Sequence, residues 1–172
     1  GELLFGSGGI GGPGHLAGEL LNTMAGVRMV HVPYKGGALA MIDLQAGQVQ
    51  LYFGNLPISM PHVKTGRVRA LAVTSAKRAV SNPEFPAVAE TIPGFELTPW
   101  YGVLARAGTP PDILAKLNRE IAAILRNPEM KERLISLGAE PVGNSQAEFA
   151  AFLKSEYVKW GKLVRDSGAK PQ

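Results

Sequence analysis

Between Leu3 and Val73 the chain alternates short apolar runs with helix-period segments, and glycine or proline closes nearly every one. Leu3-Leu4-Phe5 runs into Gly6-Ser7-Gly8-Gly9-Ile10-Gly11-Gly12-Pro13-Gly14, after which Leu16, Leu20, Leu21 and Met24 recur at helical spacing up to a C-capping Gly26. Met29 to Val32 reads as a second strand ended by Pro33. Tyr34-Lys35-Gly36-Gly37 then opens a helix carrying Leu39, Met41, Ile42 and Leu44, stopped at Gly47. Val49 to Phe53 is a third strand, Gly54-Asn55-Leu56-Pro57 a turn, and a short helix bent near Pro61 reaches Gly66 before a fourth strand, Val68 to Val73. Crossovers this short between strands predict an α/β fold: a parallel sheet covered by helices on both faces.

The remainder has another character. Ser75 to Pro99 is a proline-rich excursion, and Trp100 to Leu104 reads as one more strand. Thr109 is the expected N-cap of a helix with Pro110 at its first position, Asp112 facing the amide dipoles, and Ile113, Leu117, Ile121 and Leu125 on its buried side. Asn127-Pro128 starts a helix that ends at Gly138. Ser145 and Glu148 form a capping-box pattern ahead of a helix with Phe149, Phe152, Leu153, Trp160 and Val164 on one side. These aromatics, with Tyr157, read as a packing face rather than a binding box.

Composition removes several classes of function. At 45% hydrophobic and 19% charged, the chain can bury a core. It contains no cysteine, so neither a disulfide framework nor a thiolate site is available. The formal charge of +4 is scattered and favours anions only weakly, and no basic, aromatic-interleaved helix points to nucleic acid. No apolar run approaches the roughly 20 residues that cross a bilayer. His15, His31 and His62 show no metal spacing, and no serine stands in a GxSxG elbow. Catalytic residues, metal ligands and a bound cofactor are therefore not expected. His15 reads as a local cap or loop-fixing residue and His31 as a packed strand residue.

Chemistry is expected instead at three loops leaving the carboxyl ends of the first three strands: Ser7 to Gly14, Tyr34 to Ala38, and Gly54 to Pro57. In an open parallel sheet these ends share one edge, where ligands bind. Glycines let the backbone approach closely, and helix N-termini offer N–H donors and positive dipole ends to an anion. The candidates are Ser7, Gly8, Gly9, Gly11 and Gly12 in the first loop, Tyr34, Lys35, Gly36, Gly37 and Ala38 in the second, and Asn55 in the third. Ser7, Tyr34 and Asn55 can add side-chain hydrogen bonds. Gly6 to Gly11 is also a literal GxGxxG after a strand, so a nucleotide-binding enzyme domain is the alternative. The acidic residue such a unit needs at the end of the second strand is replaced by Tyr34-Lys35.

Several motifs resemble the substrate-binding receptors of tripartite tricarboxylate transporters, the Bug family. They are His15-Leu16-Ala17-Gly18-Glu19-Leu20, Val30-His31-Val32-Pro33-Tyr34-Lys35-Gly36, Asn55-Leu56-Pro57, Arg69 to Ser75, Pro93-Gly94-Phe95, Ala107 to Pro111 and Leu137 to Pro141. They keep the family order over almost the whole chain. The resemblance implies a non-catalytic, two-lobed periplasmic receptor of the type II, Venus-flytrap kind, closing on a small carboxylate or dicarboxylate that backbone groups and ordered water hold, and working with membrane transporter subunits. It carries ligand binding onto Ser7, Gly8, Gly9, Gly11, Tyr34, Lys35, Gly36 and Asn55. Gly12, Pro13 and Gly14 stand where hydroxyl residues are common in the family, and Gly54 where an acid is common, departures that bear on ligand identity. On this reading residues 1–104 are an α/β ligand-binding lobe that includes the excursion at 75–99. Residues 105–172 are a helical segment returning to a first lobe that the chain lacks, consistent with a processed or truncated start at Gly1. The Phe149 to Val164 face should then lack its usual partner and be exposed, rearranged or buried in an oligomer.

Overall fold

Strand β1, Leu3–Ser7, is the axis on which the first part of the fold is built. The computed structural model describes residues 3–167. β1 pairs in parallel with β2, Met29–Pro33, in the register Leu3↔Met29 to Ser7↔Pro33. On its other side it pairs in parallel with β3, Leu51–Tyr52, giving the order β2-β1-β3. Helix α1, Pro13–Ala25, connects β1 to β2, and α2, Gly37–Gln45, connects β2 to β3. The chain thus leaves β1 to one side and returns past it to the other, and right-handed crossovers then put the two helices on opposite faces. Neighbouring strand residues agree with this, because their side chains point to opposite faces. The Phe5 ring lies so close to Gly18 of α1 that any side chain there would collide with it, whereas Gly6 faces Ala40 of α2 and Val49.

Burial follows the same division, with Phe5, Leu16 and Ala17 on the α1 side and Ala40, Met41 and Val49 on the other. Asn22 of α1 fixes the entry to β2: its Oδ1 accepts from the Met29 N–H at 2.8 Å and its Nδ2 donates to the Met29 carbonyl at 3.1 Å. Gly26, with a left-handed φ of 65°, caps α1 as its position suggests. Not every apolar position on these helices is used; Leu39 and Ile42 of α2 and Met24 of α1 are exposed.

Two expected strands differ. Val49 to Phe53 forms a ladder only at Leu51–Tyr52, although the Gln50 and Phe53 amides still donate to Leu4 and Gly6 of β1. Val68 to Val73 joins no sheet among the described residues. Both backbone groups of Val73 go to the proline-rich excursion, its N–H to the Pro86 carbonyl and its carbonyl to the Val88 N–H, in a single bridge to Ala87. A two-residue β3 offers a fourth strand almost no template. Helix α3, Leu56–Lys64, follows β3. The excursion is folded: Phe95 and Leu97 are buried, and Arg78 grips Glu90 through two hydrogen bonds of 2.8 Å.

Residues up to Pro99, with those from Gly161 onward, form one compact unit, and Trp100–Trp160 a second. The second holds α4, Pro111–Arg126, α5, Pro128–Ser136, and most of α6, Gln146–Ser167. Trp100 to Leu104 is not a strand, since this unit has no sheet edge among its described residues to receive it; Tyr101, Val103 and Leu104 are exposed. α4 begins one residue late, because the Thr109 hydroxyl donates to the Arg106 carbonyl rather than capping. On α4 only Ala122 is buried; Ile113 and Leu117 are exposed and Ile121 and Leu125 half-buried. The expected unpartnered face of α6 does find a contact, with Phe149 and Phe152 packing edge-on against Trp100 at 5.9 and 5.3 Å. Trp100 and Trp160 both donate their indole N–H to one oxygen of the buried Glu156, at 3.0 and 2.6 Å.

Candidate functional site

The three strand-to-helix turns meet at one rim of the sheet, held together by their own backbones. The Tyr34 N–H donates to the Ser7 carbonyl and the Gly36 N–H to the Gly8 carbonyl, each at 3.1 Å, and the Phe53 N–H donates to Gly6 at 3.3 Å. The order β2-β1-β3 makes the carboxyl end of β1 the point where successive connections diverge, the place where open α/β sheets form a crevice. Approach here is close enough to require glycine. A Cβ on Gly14 would strike the Phe53 carbonyl oxygen, and one on Gly37 the Tyr52 hydroxyl.

All three helices at this rim start without a side-chain cap and without an acidic residue in the first turn. Helix geometry leaves the first-turn amides, Gly14 and His15 in α1 and Gly37, Ala38 and Leu39 in α2, with no acceptor inside the helix. Together with the dipoles, they form a set of donors suited to an anion.

The candidate side chains behave differently from one another. Ser7 is fully buried and its hydroxyl is committed inward, 2.6 Å from His31 Nε2 and bonded to the Gly9 N–H and carbonyl at 3.2 and 3.1 Å. The Ser7 hydroxyl, expected to reach a ligand, is thus engaged with groups behind the loop. Tyr34 likewise turns its hydroxyl to Asp43 Oδ2 at 2.7 Å. Burial, then that bond and the Asp43 charge, push the phenol up to about 12, so it remains a neutral donor. Burial also raises Tyr52. Gly8, Gly11, Lys35, Gly36 and Ala38 are exposed, while Gly9, Gly12, Gly37 and Asn55 are partly covered.

Residue-by-residue reading left His15 and His31 outside the site. The two imidazoles stack at 3.9 Å directly behind the first loop, and His31 stacks in turn on Phe5 at 4.9 Å. His15 does fix the loop, its Nδ1 accepting from the Gly11 N–H at 3.0 Å. Burial, then the neighbouring His15, lowers His31 to about 4; burial also lowers His15, against the opposing pull of Glu19. Both rings are neutral at pH 7. The signal that could have found them is the parallel register, which sets His31 beside Phe5 and within reach of Ser7.

Known proteins resemble this chain in sequence and in fold. A Pseudomonas sp. (strain P51) protein, the UPF0065 protein in the tcbD-tcbE intergenic region, is 40% identical over 166 residues, covering 95% of this chain and 49% of its own length. The structure of R. palustris Rpa4515 with adipate matches with a TM-score of 0.91 at 40% identity, over 99% of this chain and 57% of that one. MatC (Rpa3494) from Rhodopseudomonas palustris with bound malate matches with a TM-score of 0.80 at 28% identity, over 94% and 56%. The chain spans about half the length of that curated relative and somewhat more of the two structures. The fold is accordingly a parallel α/β lobe of the solute-receptor kind. The model of the tripartite tricarboxylate transporter family receptor matches residues 1–169, and the chain belongs to that family.

Proposed function

We propose that this chain captures a small dicarboxylate at the sheet rim, without catalysing a reaction, as part of a periplasmic receptor serving a tripartite transporter. The observation that carries the reading is the chemistry of the three helix starts. They gather at one rim, have no caps, and hold no carboxylate of their own to satisfy the amides. A ligand carboxylate supplies what the sequence withholds. Adipate and malate, bound by two similar proteins, each carry two such groups.

Gly8, Gly9, Gly11 and Gly12 would bring one wall close to the ligand, Gly36, Gly37 and Ala38 the second, and Asn55 the third. Lys35 would add a cation at the rim, and Ser7 and Tyr34 would hold these walls from behind. In this proposal residues 1–104 act as the ligand-binding lobe and 105–172 as the helical segment that returns to a first lobe. Coupling to membrane transporter subunits, and self-association through the C-terminal helix, are parts of the same proposal that a ligand titration leaves aside.

The test is an NMR titration of the 172-residue chain with adipate, malate and NAD(P) in parallel. Adipate or malate should shift the amides of Gly8 to Gly12 and Gly36 to Ala38 in a saturable way, with affinity lowered by Gly8→Val, whose side chain would crowd Gly37. Saturable binding of NAD(P) at those amides, with no response to either acid, would replace this reading with the nucleotide one.

A further inference from the structure

The His15–His31 stack joins a buried and a half-buried ionisable side chain that carboxylate capture leaves without a task. We infer that the two neutral imidazoles are positioning residues that hold the first glycine loop in its ligand-receiving shape, and that acid releases this hold; the functional half of the inference rests on the carboxylate reading.

The geometry is specific. His31 Nε2 meets Ser7 Oγ at 2.6 Å, and that hydroxyl in turn holds Gly9 through its N–H and carbonyl. In either neutral tautomer the Ser7–His31 contact is a complete hydrogen bond, because the hydroxyl can donate to the ring or accept from it and give its proton to Gly9. His15 is more constrained. Its Nδ1 accepts from the Gly11 N–H, so its single proton sits on Nε2, 3.8 Å from Glu19 Oε1. The two rings thus fix Ser7, Gly9 and Gly11, which alternate with the exposed Gly8 and Ile10.

Protonation attacks this arrangement at two points. A proton on His15 Nδ1 sets donor against donor at Gly11. A proton on His31 places a charge in a half-buried layer against a second imidazole 3.9 Å away. The ionisable groups facing the pair are each other and Glu19 of α1; β1 faces it with Phe5 and Ser7, which do not titrate in this range. The held loop keeps His31 uncharged down to about 4, whereas a released loop would let it charge near 6.5. Between those values the released state binds the extra proton. The hold is therefore full above about pH 6.5 and is lost progressively as pH falls toward 4.

Two measurements on the same 172-residue chain test the inference. The first is the hydrogen-exchange protection of the Gly9 and Gly11 amides, which involves no ligand. By linkage, protection in the wild type should fall about thirtyfold between pH 7.5 and 5. The double variant His15→Asn, His31→Gln, which keeps an amide atom where each ring nitrogen bonds but cannot titrate, should lose less than about threefold. The second is adipate affinity at pH 7.5. His31→Phe keeps the stack but removes the bond to Ser7, and should lose at least about tenfold in protection and affinity, while the double variant stays near wild type. If His31→Phe does not fold, His31→Leu removes the same bond with a smaller side chain and leaves the Ser7–Gly9 bonds in place. Equal acid sensitivity in wild type and double variant, or undiminished protection in His31→Phe, overturns the inference. If the wild type ignores adipate while the amides respond as described, the loop-holding role stands and the carboxylate reading falls.

Discussion

The α-helices of this molecule start in two different ways, and the difference follows the two compact units. In the second unit every described α-helix start is supplied with negative charge or a cap. Asp112 stands in the first turn of α4, Asn127 accepts from the Met130 N–H and Glu129 follows it in α5, and Ser145 and Glu148 close a capping box on α6. In the first unit α1, α2 and α3 have neither. Caps and first-turn acids stabilise a helix by about 0.5–2 kcal/mol each, so their absence from three neighbouring helices forgoes stability at one rim. The first unit can do without them because it has a core: Phe5, Leu16, Met41 and Val49 are all but fully buried. The second unit buries little beyond Ala122 and Glu156 among its described residues and leaves Tyr101 and Tyr157 84% exposed. It relies on local polar contacts where the first relies on packing.

The sharpest way to expose that reliance is at Glu156. Glu156→Ala would leave the Trp100 and Trp160 indole donors without their shared acceptor, at a cost of about 2–4 kcal/mol. The chain's two tryptophans are these two, so their fluorescence reads the second unit alone. The expected outcome is a lowered urea midpoint by fluorescence, with the protection of the Leu4 and Gly6 amides in β1 unchanged at low denaturant. Equal loss in both signals would mean that the units stand or fall together, and the contrast between them would lose its energetic meaning.

A smaller effect, but one closer to function, comes from giving the first unit what the second already has. Ala38→Asp places a carboxylate at the second residue of α2, on an exposed position of the rim. The helix should gain about 0.5 kcal/mol from its own dipole. Adipate affinity should drop by about tenfold or more, roughly 1.4 kcal/mol, because a fixed negative charge would stand at the seat proposed for the anion. Asp112→Asn on α4 serves as the control and should leave adipate titrations as they were. Adipate binding that is equally strong in the Ala38→Asp variant would show that the unsupplied helix starts are not where the acid sits.

How much of this was legible beforehand depended on whether the signal was local. Gly26, Asn127 and the Ser145–Glu148 pair announce helix ends through their own backbone preferences, and they lie where those preferences put them. The strand–glycine–helix alternation likewise carries the parallel sheet and the gathering of the three turns. What failed was what depends on a neighbour. Val68 to Val73 has strand composition but meets no usable edge, and Val73 spends its backbone on Pro86 and Val88. Trp100 to Leu104 meets no sheet edge among the described residues of its unit. Thr109 gives its hydroxyl to Arg106. The inward turn of Ser7 and the partnership of His15 with His31 depend on register across β1 and β2 and on the seat of α1, none of which is written near those residues. The rim of the sheet was thus readable as backbone and not as side chains.

The mildest change tests the capped side of the contrast where its chemistry is fully in view. In the box on α6 the Ser145 N–H and hydroxyl both donate to Glu148 Oε2, at 2.8 and 2.7 Å, while the Glu148 N–H donates back to Ser145 Oγ at 3.3 Å. The backbone bond first, and the hydroxyl second, hold the Glu148 carboxyl below its ordinary value. Ser145→Ala removes the hydroxyl and with it the acceptor for the Glu148 amide, and should cost about 1 kcal/mol. The backbone N–H survives, so Glu148 should move only part of the way back toward an ordinary carboxyl. Because the folded chain favours the ionised form, the box's contribution is present above the ordinary carboxyl range and fades as pH falls through the lowered value. The difference in midpoint between wild type and Ser145→Ala should accordingly shrink on acidification. A difference that stays constant from pH 7 to 3 would mean that the serine acts without its glutamate, and that α6 is not held by the reciprocal bond that α1, α2 and α3 lack.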